Sequence, residues 1–228
     1  MSVANTPTVY ITASDQHRNG KTLLARLLAD YLLLDGRDPF MIDTDAPEGP
    51  LRKFFPGRTA LADFAAMPGQ MKLFDTIIAS PGRDYVVDLP ARHTDGFFKA
   101  VEELGFFDEL KTLGFRIIVF YVVDRHAASL RAAKAIQKFP KIDLFVPVEN
   151  QHVGSFWPKA EGDLTIPALP QALAIAISDK RFSLRAFVLG DTQHLPEEYQ
   201  QILSNFLFEV LNNLGNLEPL VTLQNLKG

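Results

Sequence analysis

The sequence predicts an α/β fold, with a mostly parallel sheet covered by helices on both faces. Short runs of β-branched and aromatic residues alternate with longer stretches of helical periodicity, which is the pattern of βα units. The runs Thr8–Ala13 (TVYITA), Arg116–Val123 (RIIVFYVV) and Leu144–Val148 are almost continuously apolar, as strands buried on both faces are. The chain has 228 residues, 47% of them hydrophobic and 22% charged, enough for one large core and too apolar for wide disorder. We read residues 1–228 as a single domain.

The elements follow in order. Thr8–Ala13 is the first strand, and Ser14 to Gly20 is a polar loop. From Lys21 to Leu34, apolar residues at Leu23, Leu24, Leu27, Leu28, Tyr31 and Leu32 form one helical face, with Asp35-Gly36 as the stop. Phe40-Met41-Ile42 is a second strand ending at Asp43, and residues 46–68, rich in Pro, Gly and charge, read as loop with short helical pieces. A helix is predicted over Gly69–Ala79, a third strand over Tyr85-Val86-Val87 ending at Asp88, and helix again over 95–113 with a break at Gly105. Arg116–Val123 is the fourth strand, the Ala- and Lys-rich segment 127–138 a helix, Leu144–Val148 the fifth strand and Leu164–Ile166 a sixth. Helices are predicted over 170–178 and 197–214, and the tail from Asn216 to Gly228 is expected to fray. The last helix is apolar at Ile202, Leu203, Phe206, Leu207, Val210, Leu211 and Leu214. Its other face carries Glu197, Glu198 and Glu209 and no basic residue, so it packs on the sheet and not on a membrane surface.

Composition narrows the function. A net charge of −4 gives no global electrostatic reason to bind nucleic acid. With no cysteine, disulfides, thiolate metal sites and cysteine nucleophiles are excluded. The segment Met1–Pro7 lacks the basic and apolar regions of a signal peptide, and no run of about 18 apolar residues occurs, so no transmembrane segment and a cytoplasmic location are expected.

In parallel sheets, ligands gather beyond the carboxyl ends of the strands, and the polar residues of interest lie there. Gly20-Lys21-Thr22 follows a strand and opens a helix, the setting in which backbone N–H groups and a helix N-terminus cradle phosphates. Asn19, Gly20, Lys21 and Thr22 are the candidate phosphate-binding residues, with Lys21 neutralising charge and the Thr22 hydroxyl on Mg²⁺. The alternative is a helix N-terminus capped by Asn19 beside an exposed lysine. A glycine expected at the start of the full motif is Asp15 here. Asp43-Thr44-Asp45 places two carboxylates at a strand end, for a water or the shell of a metal ion, or for an Asx-type turn. Asp88 before Leu89-Pro90 stands where a carboxylate holds Mg²⁺, usually through water. His93 and Asp124-Arg125-His126 read as solvated loop. Asn150 reads either as an amide for a purine edge or as a turn former, and Phe156 and Trp157 as base-stacking, core or interface residues.

Together, the phosphate loop, Asp43-Thr44-Asp45 and Asp88-Leu89-Pro90 resemble the ParA/MinD-type deviant Walker A ATPases of plasmid partition, mobilisation and intracellular positioning. The resemblance covers about Val9 to Asn150. That family writes its loop Lys-Gly-Gly-x-Gly-Lys-Thr, and here those positions hold Gln16, His17, Arg18, Asn19, Gly20, Lys21 and Thr22. The resemblance implies ATP and Mg²⁺ as cofactors, Thr22 and Asp88 at the metal, and slow hydrolysis with Lys21 and one of Asp43 and Asp45 as catalytic residues. It also implies adenine on Asn150, a nucleotide-dependent homodimer, and a partner that is DNA or a DNA-binding protein. The lysine that reaches a partner's nucleotide in that family is Gln16, which favours a hydrolysis-deficient regulatory module as one alternative. A metabolic enzyme of dethiobiotin-synthetase type, with a second pocket built by 46–68 or 92–96, is the other. Non-glycine residues where the loop needs positive φ would cost roughly 1–3 kcal/mol each.

Overall fold

A computed structural model describes residues 6–217 except 161 and 193; of the expected tail, residues 218–228 lie outside the described residues, as does the N-terminal stretch 1–5. Among the described residues, seven strands form one sheet: β1 (Thr8–Ala13), β2 (Phe40–Asp43), β3 (Thr59–Leu61), β4 (Tyr85–Asp88), β5 (Arg116–Val122), β6 (Leu144–Asn150) and β7 (Leu164–Ile166). Their order is β3-β2-β4-β1-β5-β6-β7, and every pairing is parallel. The expected α/β architecture is therefore present, with one strand more than the sequence suggests. Strand β3 lies inside the segment read as loop. At three residues it is too short to show a period, and it exists because Met41 and Asp43 on β2 have backbone groups to pair.

Among the described residues, eight α-helices cover the sheet: α1 (Lys21–Leu34), α2 (Met67–Ile78), α3 (Thr94–Glu103), α4 (Phe106–Thr112), α5 (Ala127–Gln137), α6 (Gln171–Ser178), α7 (Leu184–Val188) and α8 (Glu197–Gly215). Alternation along each strand sorts the core into two layers. Tyr10, Val86, Ile118 and Val146 point to the face covered by α1, α6, α7 and α8. Val9, Ile11, Val87 and Val119 point to the face covered by α2 to α5. The first layer is mainly aliphatic, with Leu24, Leu27, Leu28 and Leu32 of α1 fully buried. The second is rich in phenylalanine, including a stacked pair, Phe74 and Phe106, with centroids 4.0 Å apart.

The break at Gly105 is real. It takes φ 64°, ends α3 and starts α4, a left-handed step that glycine adopts without steric cost. Helix α8 buries Leu203, Phe206, Leu207, Val210 and Leu214, as its spacing predicts. Leu217 after it is also buried, so the chain stays packed past Asn216. Among the described residues, no helix is long and apolar enough to cross a membrane.

The amino ends of the central strands are fixed by charge. Arg37, in the turn after α1, donates through Nε and Nη2 to the two oxygens of Asp84, each at 2.7 Å, and Asp84 also accepts from the Thr8 backbone N–H at 2.9 Å. Both side chains are about nine-tenths buried. Removing one partner strands the other charge, so Arg37→Ala should lower stability by about 3–5 kcal/mol. Urea unfolding of the two proteins measures this, and a loss below about 1 kcal/mol would mean that the pair does not hold the strand ends.

Candidate functional site

The carboxyl ends of β1, β2 and β4 lie side by side, because Thr12 pairs with Asp88 and Asp88 with Asp43 in the sheet register. The expected neighbourhood of the phosphate-loop strand and the Asp88 strand is thus present. Residues Ser14 to Gly20 leave β1 and lead into α1, and the bend at Gly20 takes φ 98°.

Lys21 is not the exposed residue that the sequence suggests. Only 8% of its surface is accessible, because the side chain folds back under the loop. Its ammonium donates to the Gln16 carbonyl at 2.9 Å and to Ser14 Oγ at 3.2 Å. Burial pulls its pKa down, and Asp88, Asp45 and Asp15 push it back up. Nor does Asn19 cap the helix. Its Nδ2 donates to Ser14 Oγ at 2.7 Å, and α1 has Gly20 at its N-cap position and no side-chain cap. The first N–H groups of α1 are therefore left for a ligand.

Asp88 bridges β1 and α1 through its carboxylate. It accepts from Thr22 Oγ1 at 2.7 Å on one oxygen and from Thr12 Oγ1 at 2.9 Å on the other. Its backbone carbonyl accepts from Thr44 through both the hydroxyl and the N–H. Burial pushes its pKa up to about 7, with the nearby Asp43 adding to the rise and the two hydroxyls and Lys21 opposing it. Thr22 and Asp88, the two candidate metal ligands, are thus in direct contact. Their oxygens suit a hard cation that keeps most of its waters.

The two aspartates after β2 are unlike each other. Asp43 is fully buried, and its oxygens accept from the backbone N–H groups of Asp45, Leu51 and Arg52. It ties down the loop after β2, while burial raises its pKa and those N–H groups lower it. Asp45 instead lines a cleft of about 650 Å³ together with His17, Arg18, Gly20, Lys21, Thr22 and Asp88. Between the two, Asp45 is the one placed to meet a ligand.

Asn150 ends β6 and meets the phosphate loop. Its Nδ2 donates to the Asn19 carbonyl at 2.9 Å, and its Oδ1 accepts from the His152 N–H at 3.0 Å. A Cβ at Gly20 would lie 2.5 Å from that Nδ2, so the close approach as well as the positive φ requires glycine there. Asn150 combines the turn role with a clasp on the loop. It also lines a second, largely apolar pocket of about 300 Å³, with Thr22, Leu23, Arg26, Phe54, Ile166, Pro167 and Ile177.

Arg26 and Phe54 are site residues that sequence reasoning missed. The Arg26 guanidinium sits 4.0 Å from the Phe54 ring centroid and donates to the carbonyls of Ile177 and Phe182. Only its place one turn after Thr22 hinted at this. Trp157 packs against Phe145 at 5.9 Å between centroids and belongs to the core edge, while Phe156 is exposed. Asp124 is buried and accepts from both nitrogens offered by His126, so that loop is anchored and not merely solvated. Among the described residues, no group of three or more His, Cys, Asp or Glu side chains is arranged to hold a metal ion.

A cleft of about 650 Å³ at the carboxyl edge of a parallel sheet, floored by a strand–loop–helix turn with Lys and Thr, matches a P-loop NTPase architecture. Solved structures that share this fold include cell division and McdA proteins. The chain is similar to the MinC:MinD cell division protein complex of Aquifex aeolicus, with a TM-score of 0.55, 14% identity and coverage of 92% of this chain and 96% of that one. It is similar to the MinD cell division protein of the same organism, with a TM-score of 0.53, 17% identity and coverage of 92% and 97%. The ATP complex of Cyanothece McdA(D38A) aligns with a TM-score of 0.50, 14% identity and coverage of 92% and 97%. No protein-family model matches the chain, and no curated protein sequence matches it. At these identities the likeness is one of fold.

The raised pKa of Asp88 has a consequence for stability. The unfolded carboxylate titrates near 3.8 and the folded one near 7, so over that range the folded protein holds a proton that the unfolded chain has released. The cost of burying the charge is absent at pH 4 and grows as the pH rises toward 7. Asp88→Asn should therefore match the wild type at pH 4 and exceed it at pH 8 by of order 2–4 kcal/mol. Denaturant titrations at the two pH values check this. An equal difference at both would mean that Asp88 is ionised throughout.

Proposed function

We propose that this chain binds ATP with Mg²⁺ in the cleft at the carboxyl edge of the sheet and hydrolyses it slowly. The contact that carries the reading is Thr22 Oγ1 to Asp88 at 2.7 Å beside Lys21. It places a hydroxyl, a carboxylate and an ammonium at one helix N-terminus, the set that a metal-bound triphosphate needs. The N–H groups of Asn19 to Thr22 and the Lys21 ammonium bind phosphate. Thr22 and Asp88 hold Mg²⁺, which would neutralise charge on the phosphoryl oxygens. Asp45 orients the attacking water, and Asp43 holds the Asp45 loop in place through its backbone bonds. The adjoining apolar pocket suits a nucleobase, with Asn150 at its edge. By analogy with ParA/MinD-type proteins, ATP favours a homodimer that serves partition, mobilisation or positioning through DNA or a DNA-binding partner. A second reading, nucleotide binding without turnover, is favoured by Gln16 at the position of the family lysine.

Calorimetric titration of ATP and ADP with Mg²⁺ tests the site. Lys21→Ala should keep its circular dichroism and lose roughly 100-fold in ATP affinity, the effect of losing a charged partner for phosphate. Unchanged affinity in the folded variant would overturn the assignment. ATP binding without phosphate release over hours would select the second reading.

A further inference from the structure

Three non-glycine residues among the described ones have positive φ: Arg18 (58°), Lys141 (70°) and His194 (63°). Of these, Arg18 lines the phosphate cleft. Its backbone strain sits at a position where glycine would be relaxed. Its guanidinium is exposed and makes no hydrogen bond or ion pair with any described residue. Lys141, by contrast, pairs with Asp108 at 2.9 Å. Among the described residues, no hydrogen bond or ion pair accounts for the strained arginine, whereas strain retained at a cleft-lining loop points to a role in binding.

Charge in the cleft agrees. Without Arg18, its lining has Lys21 against two carboxylates, Asp45 and Asp88, apart from His17. The Lys21 ammonium is already engaged by Ser14 and Gln16 beneath the loop. A triphosphate brings more negative charge than Lys21 and one divalent ion offset. Among the described residues that line the cleft, Arg18 is an exposed long cation with a planar fork suited to phosphate oxygens.

We propose that Arg18 is a phosphate-reading residue in cis, closing over the terminal phosphate of a nucleoside triphosphate held by Lys21 and Thr22. It makes the cleft prefer a triphosphate to a diphosphate without a cation from a second copy of the chain. The proposal rests on the nucleotide reading of the same cleft.

The test uses the full chain as wild type, Arg18→Gly and Arg18→Lys, titrated with Mg²⁺ and either ADP or the non-hydrolysable triphosphate AMP-PNP, with thermal unfolding run alongside. The wild type should bind AMP-PNP more tightly than ADP. Arg18→Gly should lose that preference by about tenfold or more, the loss of one charge-assisted hydrogen bond, while ADP affinity changes little. Its unfolding midpoint should stay level or rise, because glycine relieves the strained φ. Arg18→Lys should recover part of the preference. An Arg18→Gly protein that keeps the wild-type preference, or that loses affinity for both nucleotides together with its unfolding midpoint, overturns the proposal and makes Arg18 a plain loop residue. A wild type that binds neither nucleotide overturns the nucleotide reading itself, and this proposal with it.

Discussion

The Asp88 carboxyl group joins the parts of this molecule that have to meet. One oxygen takes the Thr12 hydroxyl from β1, the other takes the Thr22 hydroxyl from α1, and the carbonyl of the same residue takes Thr44 after β2. Two strands, a helix and a loop are thereby set in register at one point, 3% exposed to solvent. Parallel pairing makes this possible, since it aligns the carboxyl ends of adjacent strands and puts the residues that follow them in one row. The cost is a carboxylate buried where its charged form is poorly solvated. A cation arriving with a ligand would relieve that cost, so the burial of this carboxylate would favour cation binding.

Around that point the loop is held from three sides. Ser14 is the inner hub, accepting from Asn19 and Lys21 and donating to the Gln16 carbonyl. Thr94, at the start of α3, donates to the Ser14 carbonyl at 2.7 Å, and Asn150 clasps the Asn19 carbonyl from the opposite flank. This side-chain scaffold helps explain how a loop with His17 and Arg18 in place of two glycines still follows a course that opens a helix at Gly20. Gly20 is the position where neither φ nor space admits a side chain.

The long elements were legible because their signal is local. The apolar runs of β1, β5 and β6 and the Leu face of α1 follow from the period of their own residues. Asp88 could be placed because it directly follows such a run. What stayed hidden depends on partners far along the chain. The burial of Lys21 requires Ser14 and the Gln16 carbonyl to lie above it. The clasp of Asn150 spans 131 residues to Asn19, and β3 exists only against β2. Asp43 and Asp45 look equivalent in sequence, yet the turn that brings Leu51 and Arg52 back toward β2 commits Asp43 to backbone and leaves Asp45 facing the cleft.

Two adjoining cavities of opposite character share Thr22 and Leu23 as their common wall. The larger is rimmed by cations and carboxylates, and the smaller is walled by Leu23, Ile166, Pro167, Leu169, Ala174 and Ile177. A purely anionic ligand such as inorganic phosphate would leave the apolar pocket wet, and a purely apolar one would leave the charges of the first without a counterpart. A ligand with a flat, weakly polar end and a polyanionic end satisfies both, and burying the flat end contributes about 25 cal/mol for each Å² of apolar surface removed from water. The second cavity therefore argues for a nucleotide independently of the loop motif.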